Sequence, residues 1–145
     1  MDRKKIMVVD DEYTIRELVA LTLEEDYDII KAESGNDALN KMSLKPDLII
    51  LDVMMPHLDG FTVCKGLKSN KETKHIPIII FTAKHQMEDV KKAIEIGADE
   101  YITKPFEPEM LRQRVKSYFD GKKTDRKLFQ YGKGIHFIKE REGDS

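Results

Sequence analysis

Leu48-Ile49-Ile50-Leu51-Asp52 is the stretch that decides the fold. Four large apolar residues in a row, ending in a carboxylate, suit a strand buried on both faces of a parallel sheet. Two further runs are built the same way. Ile6-Met7-Val8-Val9 leads into Asp10-Asp11, and Ile78-Ile79-Ile80-Phe81 leads into Thr82. A shorter piece, Tyr101-Ile102-Thr103, ends in Lys104-Pro105. Ligands of open parallel sheets bind at the carboxyl ends of the strands. Three carboxylates, a hydroxyl and an ammonium, scattered from position 10 to position 104, should therefore gather at one edge. Such a set suits a divalent cation and a phosphoryl group.

Helical patterns separate the strands. Tyr13 to Glu25 carries apolar residues at Ile15, Leu18, Val19 and Leu23, and Tyr27 to Ala32 supplies a second strand. Glu33-Ser34-Gly35 is a turn with Ser34 or Asn36 as helix cap, before a helix from Asp37 to Leu44 that stops short of Pro46. Further helices are expected over Phe61–Ser69, over Glu88–Ile96 with Gly97 at its end, and over Pro108–Asp120 with Pro108 in the first turn. Five strand–helix units in order argue for an α/β fold, a parallel sheet with helices on both faces.

The chain has 145 residues, 40% of them apolar and 36% charged, enough for one domain with a real core. No apolar stretch reaches the roughly 18 residues of a membrane span, and Met1-Asp2-Arg3-Lys4-Lys5 leads into a strand without a signal-peptide core. A lone Cys64 within a helical pattern reads as a small core residue, and the expected compartment is cytoplasmic. The net charge of −2 is uneven. Residues 122–145 hold seven Lys/Arg against four Asp/Glu, leaving an acidic body, so direct nucleic-acid binding by this chain is not expected.

Adjacent carboxylates at Asp10-Asp11 repel each other unless a cation sits between them. Oxygen ligands without neighbouring His or Cys point to Mg²⁺. The plainer alternative is a polar turn with Asp11 or Glu12 as helix cap. Asp52 ends the most apolar strand, and Asp59-Gly60 reads as turn chemistry. Thr82 can bond a phosphoryl oxygen and Lys104 can serve as its point charge, with a cis Lys-Pro bond aiming the ammonium inward. His57, His75, His85 and His136 share no metal spacing.

Taken together, MVVDDE (7–12), LIILDVMMPHLDG (48–60), PIIIFTA (77–83) and GADEYITKPF (97–106) resemble the receiver domain of two-component response regulators, over about residues 4–120. The resemblance implies a doubly wound, flavodoxin-like (βα)₅ fold with five parallel strands in the order 2-1-3-4-5. It implies that Asp52 takes a phosphoryl group from a phosphohistidine of a sensor histidine kinase or phosphotransfer protein. Asp11, Asp52 and the main-chain carbonyl of Met54 would bind Mg²⁺ directly, and Asp10 through water. Lys104 and Thr82 would each bond a phosphoryl oxygen. Tyr101 would then turn inward and change the surface of helix 4, strand 5 and helix 5. Receivers of the winged-helix transcription-factor class often form a homodimer through that surface. In this chain Glu100 and Arg114 fall at the positions of one cross-subunit ion pair, while Val90, Met110 and Gly121 stand where charges are expected, and the plainer alternative is a solvated charged face.

The enzyme alternative is a Mg²⁺-dependent phosphatase that uses an aspartyl-phosphate. Met54 stands where such an enzyme needs a proton-transferring carboxylate, which argues against it. The intact set of Asp10, Asp11, Asp52, Thr82 and Lys104 argues against a degenerate receiver that only binds protein.

The receiver is expected to span 1–121, with 122–145 as a C-terminal tail or linker. Leu128 to Tyr131 and Ile135 to Ile138, around Gly132-Lys133-Gly134, read as a possible hairpin that is marginal unless it packs on something else. Lys139 to Ser145 reads as a charged, mobile end.

Overall fold

The computed structural model describes residues 3–84, 86–120, 126–131 and 135–140. The apolar runs form the inner strands of one sheet. In chain order the elements are β1 (Lys5–Val9), α1 (Tyr13–Leu23), β2 (Asp28–Ala32), α2 (Gly35–Asn40), β3 (Leu48–Leu51), α3 (Gly60–Ser69), β4 (Ile78–Thr82), α4 (Met87–Glu95), β5 (Glu100–Thr103), α5 (Pro108–Phe119), β6 (Arg126–Tyr131) and β7 (Ile135–Glu140). The first five strands pair in parallel in the order β2-β1-β3-β4-β5.

Residues alternate between the two faces of each strand. Met7, Val9, Ile49, Leu51, Ile78, Ile80 and Tyr101 pack with Ala38 of α2, Val63, Cys64 and Leu67 of α3, and Val90 and Ala93 of α4. Ile6, Val8, Leu48, Ile50, Ile79, Phe81 and Ile102 pack with Val19 and Leu23 of α1 and with Leu111 and Val115 of α5. Both faces of the sheet are covered, so the central strands carry no polar alternation. Cys64 is fully buried, and desolvation pushes its thiol up to about 12, in keeping with a core residue.

Ser34 caps α2 by accepting from the Asp37 N–H, and the helix takes in Gly35, two residues earlier than expected. Its far end tightens to a 3₁₀ turn over Lys41–Leu44, stopped by Lys45 at φ 57° just before Pro46. Gly97, at φ 95°, ends α4, a backbone region open to glycine without strain. Asp59 is the cap of α3, its side chain accepting from Thr62 N–H at 3.0 Å. His57 and His75 are exposed, and His85 lies outside the described residues. Among the described residues no helix is long and apolar enough to cross a membrane.

The sheet does not end at β5. β6 pairs with β5 in parallel, with Tyr101 opposite Phe129, and β7 pairs with β6 antiparallel from Arg126–Glu140 to Tyr131–Ile135. Seven strands therefore form one sheet where the family pattern implied five. The expected turn at Gly132–Gly134 lies outside the described residues, as do 141–145. Lys139 and Glu140, expected within the mobile end, belong to β7, because a strand is held by its ladder whatever the polarity of its side chains.

Candidate functional site at the carboxyl edge of the sheet

Backbone bonds tie the strand ends to one another. Asp10 N–H donates to the Ala32 carbonyl, Asp52 N–H to Val9, and Lys104 N–H to Thr82. The Arg16 guanidinium donates to the Asp10 carbonyl at 2.7 Å. The edge is thus a rigid platform, and its side chains converge. Lys104 Nζ lies 2.7 Å from Asp10 Oδ2 and 3.0 Å from Asp52 Oδ2. The Lys104–Pro105 peptide is cis. The ammonium also sits 5.4 Å from the centre of the Phe81 ring, which meets Phe106 edge-on.

The remaining oxygens of the two buried carboxylates are held by backbone. Glu12 N–H donates to Asp10 Oδ1 and Met54 N–H to Asp52 Oδ1, both at 2.9 Å. Glu12 occupies the cap position of α1 without a side-chain cap bond, so the plain capping alternative for Asp10-Asp11-Glu12 does not describe this turn. Asp11 is exposed and makes no side-chain bond among the described residues.

Asp10, Asp11 and Asp52 bring one carboxylate oxygen each to within 4.8 Å of one another. Three carboxylates beside one ammonium leave two negative charges, the complement of a divalent cation. Burial, and next to it the charge of Asp52, holds the Asp10 carboxyl above its usual range against the opposing pull of Lys104. Lys104 is held above its own ordinary value, because its bonds to Asp10 and Asp52 outweigh desolvation. All-oxygen donors, part of them exposed to water, fit Mg²⁺, which binds through few carboxylates and keeps several waters.

Thr82 is fully buried at the end of β4, and its Oγ1 accepts from Lys84 N–H at 3.3 Å. Its hydroxyl proton has no acceptor among the described residues. Tyr101 is fully buried and points inward, its Oη donating to the Lys84 carbonyl at 2.7 Å. The Met54 side chain is half exposed beside the site.

Two features were not read from the sequence. A Cβ on Gly60 would lie 2.3 Å from the Asp52 carbonyl oxygen, so α3 starts hard against the backbone of the site. The Asp59-Gly60 pair held a signal for it, but only as a turn. Glu100, for its part, is fully buried at the start of β5. Arg114 grips both of its carboxylate oxygens from within the same chain, and Tyr118 Oη donates to it at 3.0 Å. The two residues expected to pair across subunits are paired internally.

The model of the response regulator receiver domain matches residues 6–116. The alkaline phosphatase synthesis transcriptional regulatory protein PhoP of Bacillus subtilis is 49% identical over 79% of this chain and 48% of its own length. The phosphate regulon transcriptional regulatory protein PhoB of Escherichia coli is 41% identical over 79% of this chain and 51% of its own. This chain thus spans about half the length of these curated relatives. The solved structure of DrrB, a Thermotoga maritima OmpR/PhoB homologue, superimposes with a TM-score of 0.77 at 34% identity, over 90% of this chain and 58% of that one. The chain belongs to the response regulator receiver domain family, the phosphoacceptor modules of two-component signalling.

Proposed function

We propose that Asp52 accepts a phosphoryl group from the phosphohistidine of a sensor histidine kinase or phosphotransfer protein. The observation that carries this reading is the setting of Asp52. It is buried at the end of a rigid strand, one oxygen fixed by the Met54 N–H and the other by Lys104. An Asp52 oxygen attacks phosphorus, the phosphorus–nitrogen bond breaks, and its electron pair returns to the imidazole. Lys104 moves from neutralising two carboxylates to pairing with a phosphoryl oxygen, and the Thr82 hydroxyl donates its proton to another. Catalysis of this kind is positioning and charge neutralisation.

Asp11, Asp52 and the Met54 carbonyl would hold Mg²⁺ directly, with Asp10 acting through water. The metal supplies charge neutralisation on the phosphoryl oxygens. The chain acts as a switch whose chemistry is limited to gaining and losing its own phosphoryl group, with Thr82 and Tyr101 carrying the change to α4, β5 and α5 and so to an output. The cytoplasm, where a free Cys64 thiol stays reduced, is the proposed setting. A homodimer through α4, β5 and α5 is the second reading, with Glu100 and Arg114 keeping their internal pair; sedimentation with and without acetyl phosphate tests it.

The test of the main reading is radiolabelled acetyl phosphate with Mg²⁺. One acid- and base-labile label per chain is expected, abolished in Asp52→Ala. Label persisting in that variant at the wild-type level would overturn the assignment.

A further inference from the structure

β5 would be the edge of a five-stranded sheet, and an open edge is a template for another strand. Here that edge is taken by β6, which pairs in parallel at Tyr101 and runs close to α4. Tyr101 is also the residue whose hydroxyl reaches the Lys84 carbonyl, and the Lys84 N–H reaches Thr82. A continuous set of bonds therefore runs from the β6 ladder to the hydroxyl beside the Asp52 site. On the other face of β5, Glu100 is fully buried and held by Arg114 and Tyr118 of α5.

We propose that the β6–β7 hairpin is a latch, and that its docking on β5 is coupled through Tyr101 and Lys84 to occupancy of the phosphoryl site. The proposal rests on Asp52 as the acceptor. Two strands alone are marginally stable, so the hairpin needs β5 and is poised between docked and free. Docked, it holds β5 and the inward Tyr101, which fixes Lys84 against Thr82. A phosphoryl group that draws on Thr82 favours the same arrangement. Coupling between sites is reciprocal, so a bound phosphoryl group must tighten the hairpin to the degree that the hairpin tightens the phosphoryl group.

The experiment uses the full chain with Mg²⁺ and beryllofluoride, which mimics a phosphoryl group on a carboxylate. Neighbouring N–H groups along a strand point to opposite edges, so of Leu128 and Phe129 one faces β5 and the other β7. Leu128→Pro and Phe129→Pro each remove one of these bonds. Both variants should bind beryllofluoride at least about five-fold more weakly than wild type, the low end of ordinary allosteric coupling. In the wild type, beryllofluoride should slow amide exchange in Glu100–Thr103 and in Arg126–Tyr131, a readout that needs no variant. Equal or tighter binding by the variants, together with unchanged exchange in β6, overturns the latch alone. A wild type that binds no beryllofluoride overturns the acceptor reading and the latch with it.

Discussion

A Cβ built on Gly60 falls 2.3 Å from the carbonyl oxygen of Asp52, closer than any real side chain tolerates. The first residue of α3 and the end of β3 share a space that only hydrogen fills. Gly60→Ala must push one backbone from the other, and overpacking of this kind costs about 1–3 kcal/mol. Denaturant unfolding should show that loss, and the displaced Asp52 should take label from acetyl phosphate more slowly.

Lys104→Met removes the cation that, among the described residues, pairs with both Asp10 and Asp52. Removing one partner of a buried ion pair costs about 3–5 kcal/mol, and the residual exposure of Lys104 places this case toward the lower end. Labelling should be lost. The stability deficit should be largest at neutral pH without Mg²⁺ and should shrink on acidification, as Asp10 takes up a proton.

The same logic sets the pH response of the wild type. The Asp10 carboxyl is held above its usual range by burial, and so is Glu100. Through the interval between the unfolded and folded values, the folded state binds more protons than the unfolded one. The contribution of each group to stability therefore falls as pH rises from the ordinary carboxylate range through its raised folded value. Asp37 is held below its usual range and contributes the opposite slope, at lower pH.

Mg²⁺ should offset the Asp10 cost, so its stabilising effect should grow over that same rise in pH. At ten times its Kd the gain is about 1.4 kcal/mol. Asp11→Asn should reduce the gain, and thermal melts with and without Mg²⁺ across pH give both results. An Mg²⁺ response unaltered by Asp11→Asn would reject the site.

Asp59 separates capping from ligation. Asp59→Ala should cost about 1 kcal/mol by freeing the Thr62 N–H, whereas Asp59→Asn keeps an acceptor and should cost less. Labelling at Asp52 should be close to wild type in Asp59→Asn. A lost Mg²⁺ response in that variant would make Asp59 part of the site.

The strands that carry this site were legible because burial on both faces leaves a continuous apolar run, as in Leu48–Leu51. That Asp10, Asp11, Asp52 and Lys104 meet at one edge followed from where those runs end. What the sequence hid depends on partners that pattern cannot supply. Glu100 looks like a surface residue until Arg114 and Tyr118 close around it. The Asp10 side chain serves the Glu12 N–H, a bond that spacing alone does not separate from a cap on Asp11 or Glu12. The runs at Leu128–Tyr131 and Ile135–Ile138 carried strand composition, but nothing local says that the first lies along β5. Gly60 read as a turn residue because the close approach belongs to the tertiary fold.

The bond between Lys104 and Asp10 joins residues 94 positions apart. On the proposed roles of Asp52 and Lys104, an emerging polypeptide is therefore a poor acceptor until its fifth strand has been synthesised and laid beside the fourth. Up to that moment Asp52 lacks its ammonium, and the acidic cluster has only repulsion to offer. Competence to receive a signal thus certifies that nearly the whole domain has assembled, and a nascent or locally opened chain is a poor acceptor without any dedicated quality control.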